Sequence, residues 1–193
     1  MSEKAQTRAT FHAPQGSQEQ GIFAIRGDLD GSKDAEDYSQ IRQFIGLVNG
    51  ADEFLLPIEL VDEIIMFNQL TFVPGAPQFV EGVINLRGKI VPAINLRKMM
   101  GLPSVTPTQS TRIIITHYEE MQIGIIVDGI TYVIPLGVNQ IDLKSLGGRG
   151  HGADLICGIS KRGDKVNGIL DIAKVVVTIT GSKLDDGPAA KDH

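Results

Sequence analysis

Few side chains in this sequence have both the type and the spacing that chemistry requires. The single cysteine, Cys157, follows His151 by six residues, and a thiol nucleophile with its base would need such a pair. Yet Cys157 sits at the start of the apolar run ICGIS, where a small buried thiol is the ordinary role. His151 belongs to the glycine-rich stretch GGRGHG (Gly147–Gly152), which has the look of a phosphate cradle. It lacks the Lys-Ser/Thr ending and the following helix of such a loop, so it reads as a connector. A small-molecule site in this loop is the enzyme-like alternative. His12 and His193 lie near the chain ends, His117 closes a strand beside a turn, and no two histidines have metal-ligand spacing. Glu119 and Glu120 are neighbours in a turn and point apart, which disqualifies them as an acid–base pair. No catalytic residue, metal site or cofactor is expected.

Arg87 is less easily dismissed. It stands with Gly88 on the turn of GVINLRGKIVPAINLR (Gly82–Arg97). Gly88 is explained by a backbone that needs φ > 0. Arg87 is not explained by the turn, and its plain reading is a solvated charge. Glu63, in VDEI, reads likewise as part of an exposed strand face.

The elements that position these residues are nearly all strands. IRQFIGLV and FLLPI flank Asn49-Gly50, a hairpin signal. ELVDEIIMF fits a short strand or a turn of helix. FVEGVINL, Arg87-Gly88 and KIVPAI make a second hairpin, after which Asn95 caps a very short helix, LRKMM, stopped by Gly101 and Pro103. TRIIITHY and MQIGIIVDGI pair across Glu119-Glu120, and ICGIS pairs with KVNGIL across Arg162-Gly163-Asp164. Asp171 then caps IAKVV. Aligning Gly82 with Gly158 sets Asn95 and Asp171 both thirteen residues on, and Val61-x-x-Ile64 matches Ile130-x-x-Val133. This is a diverged duplication of about 70 residues. It favours two small closed β-barrels over a single ten-stranded sandwich.

Composition sets the wider limits. At 42% hydrophobic but 5% aromatic, the core must come from Ile, Val and Leu, which suits strands. A net charge of −5 without a basic patch argues against nucleic-acid binding. One cysteine, no signal-like N-terminus and no apolar run of membrane-spanning length point to a cytoplasmic protein without direct membrane insertion. Residues 1–38, with the acidic run DLDGSKDAEDY, are expected to be a disordered arm; Gly21–Gly27 (GIFAIRG) is its one apolar segment. Residues 39–180 form the expected domain of two intertwined barrels, and 181–193 a flexible tail.

The blocks FLLPIELVDEI, FVEGVINLRGKIVPAINLRKMMG, IGIIVDGI and GILDIAKVV fall in an order and spacing that resembles a CheW-like domain, from residue 40 to about 180. The resemblance implies an all-β fold of two five-stranded SH3-like barrels joined through an apolar seam, with short helices. It implies an adaptor and not an enzyme. Such a chemotaxis scaffold couples the cytoplasmic tips of methyl-accepting chemoreceptors to a CheA-type histidine kinase, whose regulatory domain shares the fold. A non-flagellar chemosensory pathway, such as one serving pilus motility, is the alternative output. The protein would be recruited from the cytoplasm to receptor arrays. The family's VxEI glutamate falls on Glu63 and its NLRG arginine on Arg87, which implies a surface ion pair near the receptor- and kinase-contacting face. Val61, Ile64, Gly82, Asn85, Leu86 and Gly88 occupy the surrounding motif positions. The family usually has Asp where this chain has Asn95, and its members have a shorter N-terminal arm.

Overall fold

The computed structural model describes residues 41–143, 152–162 and 165–181. The expected arm with its Gly21–Gly27 segment, the glycine-rich stretch before Gly152, the turn residues Gly163 and Asp164, and the tail from residue 182 lie outside the described residues. Among those described, eleven strands form two sheets. In chain order they are β1 (Ile41–Asn49), β2 (Asp52–Pro57), β3 (Val61–Met66), β4 (Val80–Leu86) and β5 (Lys89–Asn95), then the one-turn helix α1 (Leu96–Met99). There follow β6 (Arg112–Tyr118), β7 (Met121–Val127), β8 (Gly129–Gly137), β9 (Ile141–Asp142), β10 (Ile156–Arg162), β11 (Lys165–Leu170) and the helix α2 (Ile172–Thr180). ELVDEIIMF, which fitted strand or helix, resolves into a single 3-10 turn (Ile58–Leu60) and β3.

The local signals produce the turns and caps they predict. β1 and β2 pair up to Asn49 opposite Asp52, with Gly50 at φ +73. The Asn95 side chain accepts from the Lys98 amide at 3.1 Å, and the Asp171 side chain from the Lys174 amide at 3.2 Å. Each thereby satisfies an orphan N–H of a first helical turn. Gly82 and Gly158, aligned by the duplication, each sit where the ladder to the next strand slips by one residue. They are the same β-bulge in two copies.

The two sheets follow one path with pieces drawn from both halves of the chain. The five-stranded order is β3-β6-β7-β5-β4, and the six-stranded order is β8-β1-β2-β11-β10 with β9 added at the edge. In each, the pairings run antiparallel, antiparallel, parallel, antiparallel in the same sequence. The N-terminal hairpin β1–β2 therefore takes, in the second sheet, the place that β6–β7 takes in the first.

Burial explains this exchange. β6 is isoleucine at three successive positions, all fully buried, so both of its faces need cover. Ile113 and Ile115 pack into the five-stranded sheet's own core with Ile84, Val91 and Ala93. Ile114 faces a seam shared by both sheets, with Ile45, Leu47, Leu56, Ile123, Ile125, Leu170 and Val175. Hairpin β1–β2 divides likewise: Phe44 and Leu55 join the six-stranded sheet's core with Ile134, Cys157 and Ile169, while Ile45 and Leu56 enter the seam. Cys157 is buried there, and its thiol donates to the Ile169 carbonyl at 3.5 Å. No helix among the described residues is long and apolar enough to cross a membrane.

Candidate docking surface

The end of the five-stranded sheet brings its two edge strands together. Glu63 lies on β3 and Arg87 on the tip that follows β4, at opposite edges of the strand order. Yet Arg87 Nη2 donates to Glu63 Oε2 at 3.0 Å, so the sheet curls until its edges meet. The expected pair forms. Arg87's side chain is 79% exposed and Glu63's 26%, so the pair adds only about 0–1 kcal/mol to stability.

The turn explains how Arg87 is presented. β4 and β5 pair up to Leu86 opposite Lys89, which leaves a two-residue turn. Both turn residues have positive φ, +54 for Arg87 and +89 for Gly88. Such turns match the twist of a hairpin, and Asn or Gly normally fills the first position. A residue with a Cβ costs roughly 1–2 kcal/mol there. Asn85 supports the turn by accepting from the Gly88 amide at 2.8 Å.

The other motif residues divide by depth. Ile64 is 42% exposed on the outward face of β3, followed two residues on by Met66 at 70%. Asn85 and Gly88 are also exposed, and Ile90, opposite Asn85 across the hairpin, is 65% exposed. Leu86 packs partly against the five-stranded sheet's core, and Val61 against the seam. Gly82 is buried and serves the surface from beneath. A Cβ there would stand 2.5 Å from the Thr71 carbonyl oxygen. Its absence lets Thr71 exchange two backbone hydrogen bonds with Val83, at 2.9 and 2.8 Å, which pins the segment after β3 along β4.

Reasoning from the sequence missed three features nearby. The β3–β6 ladder slips between Val61 and Glu63, and the bulge turns two consecutive acids to different partners. Asp62 meets His117 Nδ1 and Gln122 Nε2, each at 2.7 Å, while Glu63 meets Arg87. The DE pair in VDEI was the available signal, but only the bulge gives it meaning. Asn95, besides capping α1, donates through Nδ2 to Glu81 Oε1 at 2.7 Å; Lys98 Nζ reaches the same oxygen at 2.9 Å. Arg97, from the second Asn-Leu-Arg, pairs with Asp128 Oδ2 at 2.6 Å, and that oxygen also accepts from the Gly50 amide at 2.7 Å. Arg97 thus ties α1 to turns from both sheets, whereas Arg87 faces solvent.

Among the described residues no group of three or more His, Cys, Asp or Glu gathers so as to hold a metal ion. His151, the base in the alternative reading of Cys157, lies outside the described residues. What the structure builds is a curled β-sheet whose end displays an ion pair among exposed Ile, Met and Asn side chains. The model of the CheW-like domain family matches residues 43–179. The chain is 29% identical over 157 residues to the chemotaxis protein CheW of Helicobacter pylori, covering 80% of this chain and 93% of that one. It is 31% identical over 142 residues to the chemotaxis protein CheW of Thermotoga maritima, 72% of this chain and 92% of the other. The crystal structure of the scaffolding protein CheW from Thermoanaerobacter tengcongensis is similar with a TM-score of 0.63 at 32% identity, covering 67% of this chain and 88% of that one. The chain belongs to the CheW-like domain family, a family of chemotaxis scaffold proteins.

Proposed function

We propose that the protein acts in the cytoplasm as a chemotaxis scaffold, coupling the tips of chemoreceptors to a CheA-type histidine kinase. Val61, Glu63, Ile64, Gly82, Asn85, Leu86, Arg87 and Gly88 present or support the face that meets these partners. The observation that supports this most directly is the conformation of Arg87. A long cation occupies a turn position that costs about 1–2 kcal/mol, for an exposed pair that returns less. Local stability does not account for it, and a backbone outlier of this kind points toward function. Arginine and exposed apolar anchors are also frequent among residues that dominate interfaces. A helical receptor tip would lay its apolar face against such a surface, and the kinase would contribute its own CheW-like domain. Several contacts of this kind in one array add through avidity.

The test separates stability from binding. Arg87→Asn suits the turn better and is expected to raise stability by up to about 1 kcal/mol. The same change, and Glu63→Gln, are expected to weaken binding to the regulatory domain of a CheA-type kinase by roughly tenfold, about 1.4 kcal/mol. Calorimetric titration and urea melts read the two quantities. Unchanged affinity in both variants, or no binding by the parent protein at tens of micromolar, overturns the reading.

A further inference from the structure

The corresponding end of the six-stranded sheet has a different electrostatic character. Lys161 and Arg162 close β10, Lys165 opens β11, and all three are exposed. None has an ion-pair partner among the described residues. A shallow cleft sets Arg162 and Lys165 beside Tyr132 and Ile134 of β8, with Glu53 and Asn167 as its other walls. Glu53 is the one acid among the cleft's lining residues, against the two bases, and its carboxylate accepts from the Thr131 hydroxyl at 2.6 Å and the Asn167 amide at 3.5 Å. Tyr132, Val133 and Val166 leave about half of their surface exposed at the same end.

A segment of opposite charge lies within reach in the same chain. Residues 28–37, DLDGSKDAED, hold five acids against one lysine. The described fold begins close by, at Ile41, which pairs with Gly137 at the end of β8. From Gly137 back to Tyr132 is five residues of strand, roughly 17 Å. Asp37 and Asp34 precede Ile41 by four and seven residues, a reach of roughly 13 to 24 Å. A chain that turns back along β8 therefore brings Asp34, Glu36 and Asp37 level with the cleft. The segment lies outside residues 43–179, the part matched by the family model.

We propose that the acidic run Asp34–Asp37 docks on Arg162, Lys165 and Tyr132 of its own chain. Each exposed charge pair is weak and screened by salt. The short tether compensates by keeping the acids at an effective concentration in the millimolar range.

The test uses the full chain with a spin label at Ser32→Cys; buried Cys157 is shielded from the reagent. At low salt the amides of Tyr132, Val133, Arg162 and Lys165 are expected to lose most of their NMR intensity, and those of Ile64 and Ile90 to keep theirs. About 1 M salt, where the Debye length is ~3 Å, restores the lost signals. So does Arg162→Glu with Lys165→Glu, and reversing Asp34, Glu36 and Asp37 to Lys in that background brings the broadening back. Broadening that is uniform, that stays next to Ile41, or that survives the charge reversal overturns the proposal. Broadening that appears only when labelled chains are mixed with unlabelled, isotope-enriched ones assigns the contact to a second copy's arm and also overturns it.

Discussion

The five-stranded and six-stranded sheets share a path, a bulge and a helix cap, yet their exposed ends differ. At one end Glu63 and Arg87 neutralise each other on a strained turn. At the other, Arg162 and Lys165 stand beside Tyr132 without such a pair among the described residues. The shared features are buried or hydrogen-bonded, where a change of shape or polarity is costly. The differing features are solvated, where a charge substitution costs little. A duplicated scaffold can therefore keep its frame while its two ends acquire separate binding properties.

The strongest test of the shared frame lies at the seam. Ile125 is fully buried there, and Ile125→Ala is expected to cost about 4 kcal/mol. Because the seam draws on both sheets, urea melts should remain a single transition, and hydrogen exchange should rise in both sheets together. Separate melting of the five-stranded sheet would show that the seam is not the joint.

The two bulge glycines should differ in sensitivity despite their equivalence. At Gly82, with φ +154, a new Cβ meets a backbone oxygen at 2.5 Å; at Gly158 it meets the flexible end of Leu143 at 2.7 Å. Gly82→Ala is expected to cost about 3 kcal/mol and Gly158→Ala about 1 kcal/mol, measured by denaturant titration. Equal losses would remove this distinction between the copies.

The caps offer a smaller contrast. Asn95→Asp places a carboxylate where the amide now donates to Glu81. It is expected to cost about 1 kcal/mol at neutral pH, in spite of the usual preference for Asp at caps. Glu81→Gln in the same chain should recover most of the loss. Asp171 accepts from the Lys174 amide at 3.2 Å, and Asp171→Ala is expected to cost at least the ordinary cap value of about 1 kcal/mol, read by the same denaturant titration.

The smallest effect concerns Tyr118, which packs against the seam. Burial, with the charges of Glu119 and Asp171 adding to it, raises the pKa of its phenol above the ordinary tyrosine value of 10.0. The folded state then holds this proton more tightly than the unfolded state. Its contribution is fully present below pH 10 and is lost as pH rises from there through the folded value. Tyr118→Phe should flatten the stability profile above pH 10, as read by thermal melts.

Much of this was legible in the sequence. Asn49-Gly50 marked its hairpin, although the turn itself is Gly50-Ala51 with Asn49 still paired in β1, and Arg87-Gly88, Asn95 and Asp171 identified their turn and caps, because each depends on backbone within three or four residues. Gly82 and Gly158 marked the duplication, and the structure gives both the same bulge. Resemblance to a known family supplied the expectation that Glu63 meets Arg87; spacing alone left both as exposed charges. The bulge at Asp62, the amide bond from Asn95 to Glu81 and the lock between Arg97 and Asp128 were not legible, since each needs a partner fixed by strand register.

The sequence by itself determined the β-rich core, the short helices, the tight turns and the order of strands. These follow from apolar patterning and from local backbone preferences, which act over a few residues. Only the tertiary structure decided that hairpin β1–β2 completes the sheet of the later strands, and that the two edges of the five-stranded sheet meet at Glu63 and Arg87. Strands apolar on both faces have no preferred neighbour in their own pattern. Their partners are chosen by which arrangement buries both faces at once, and that choice spans the whole chain.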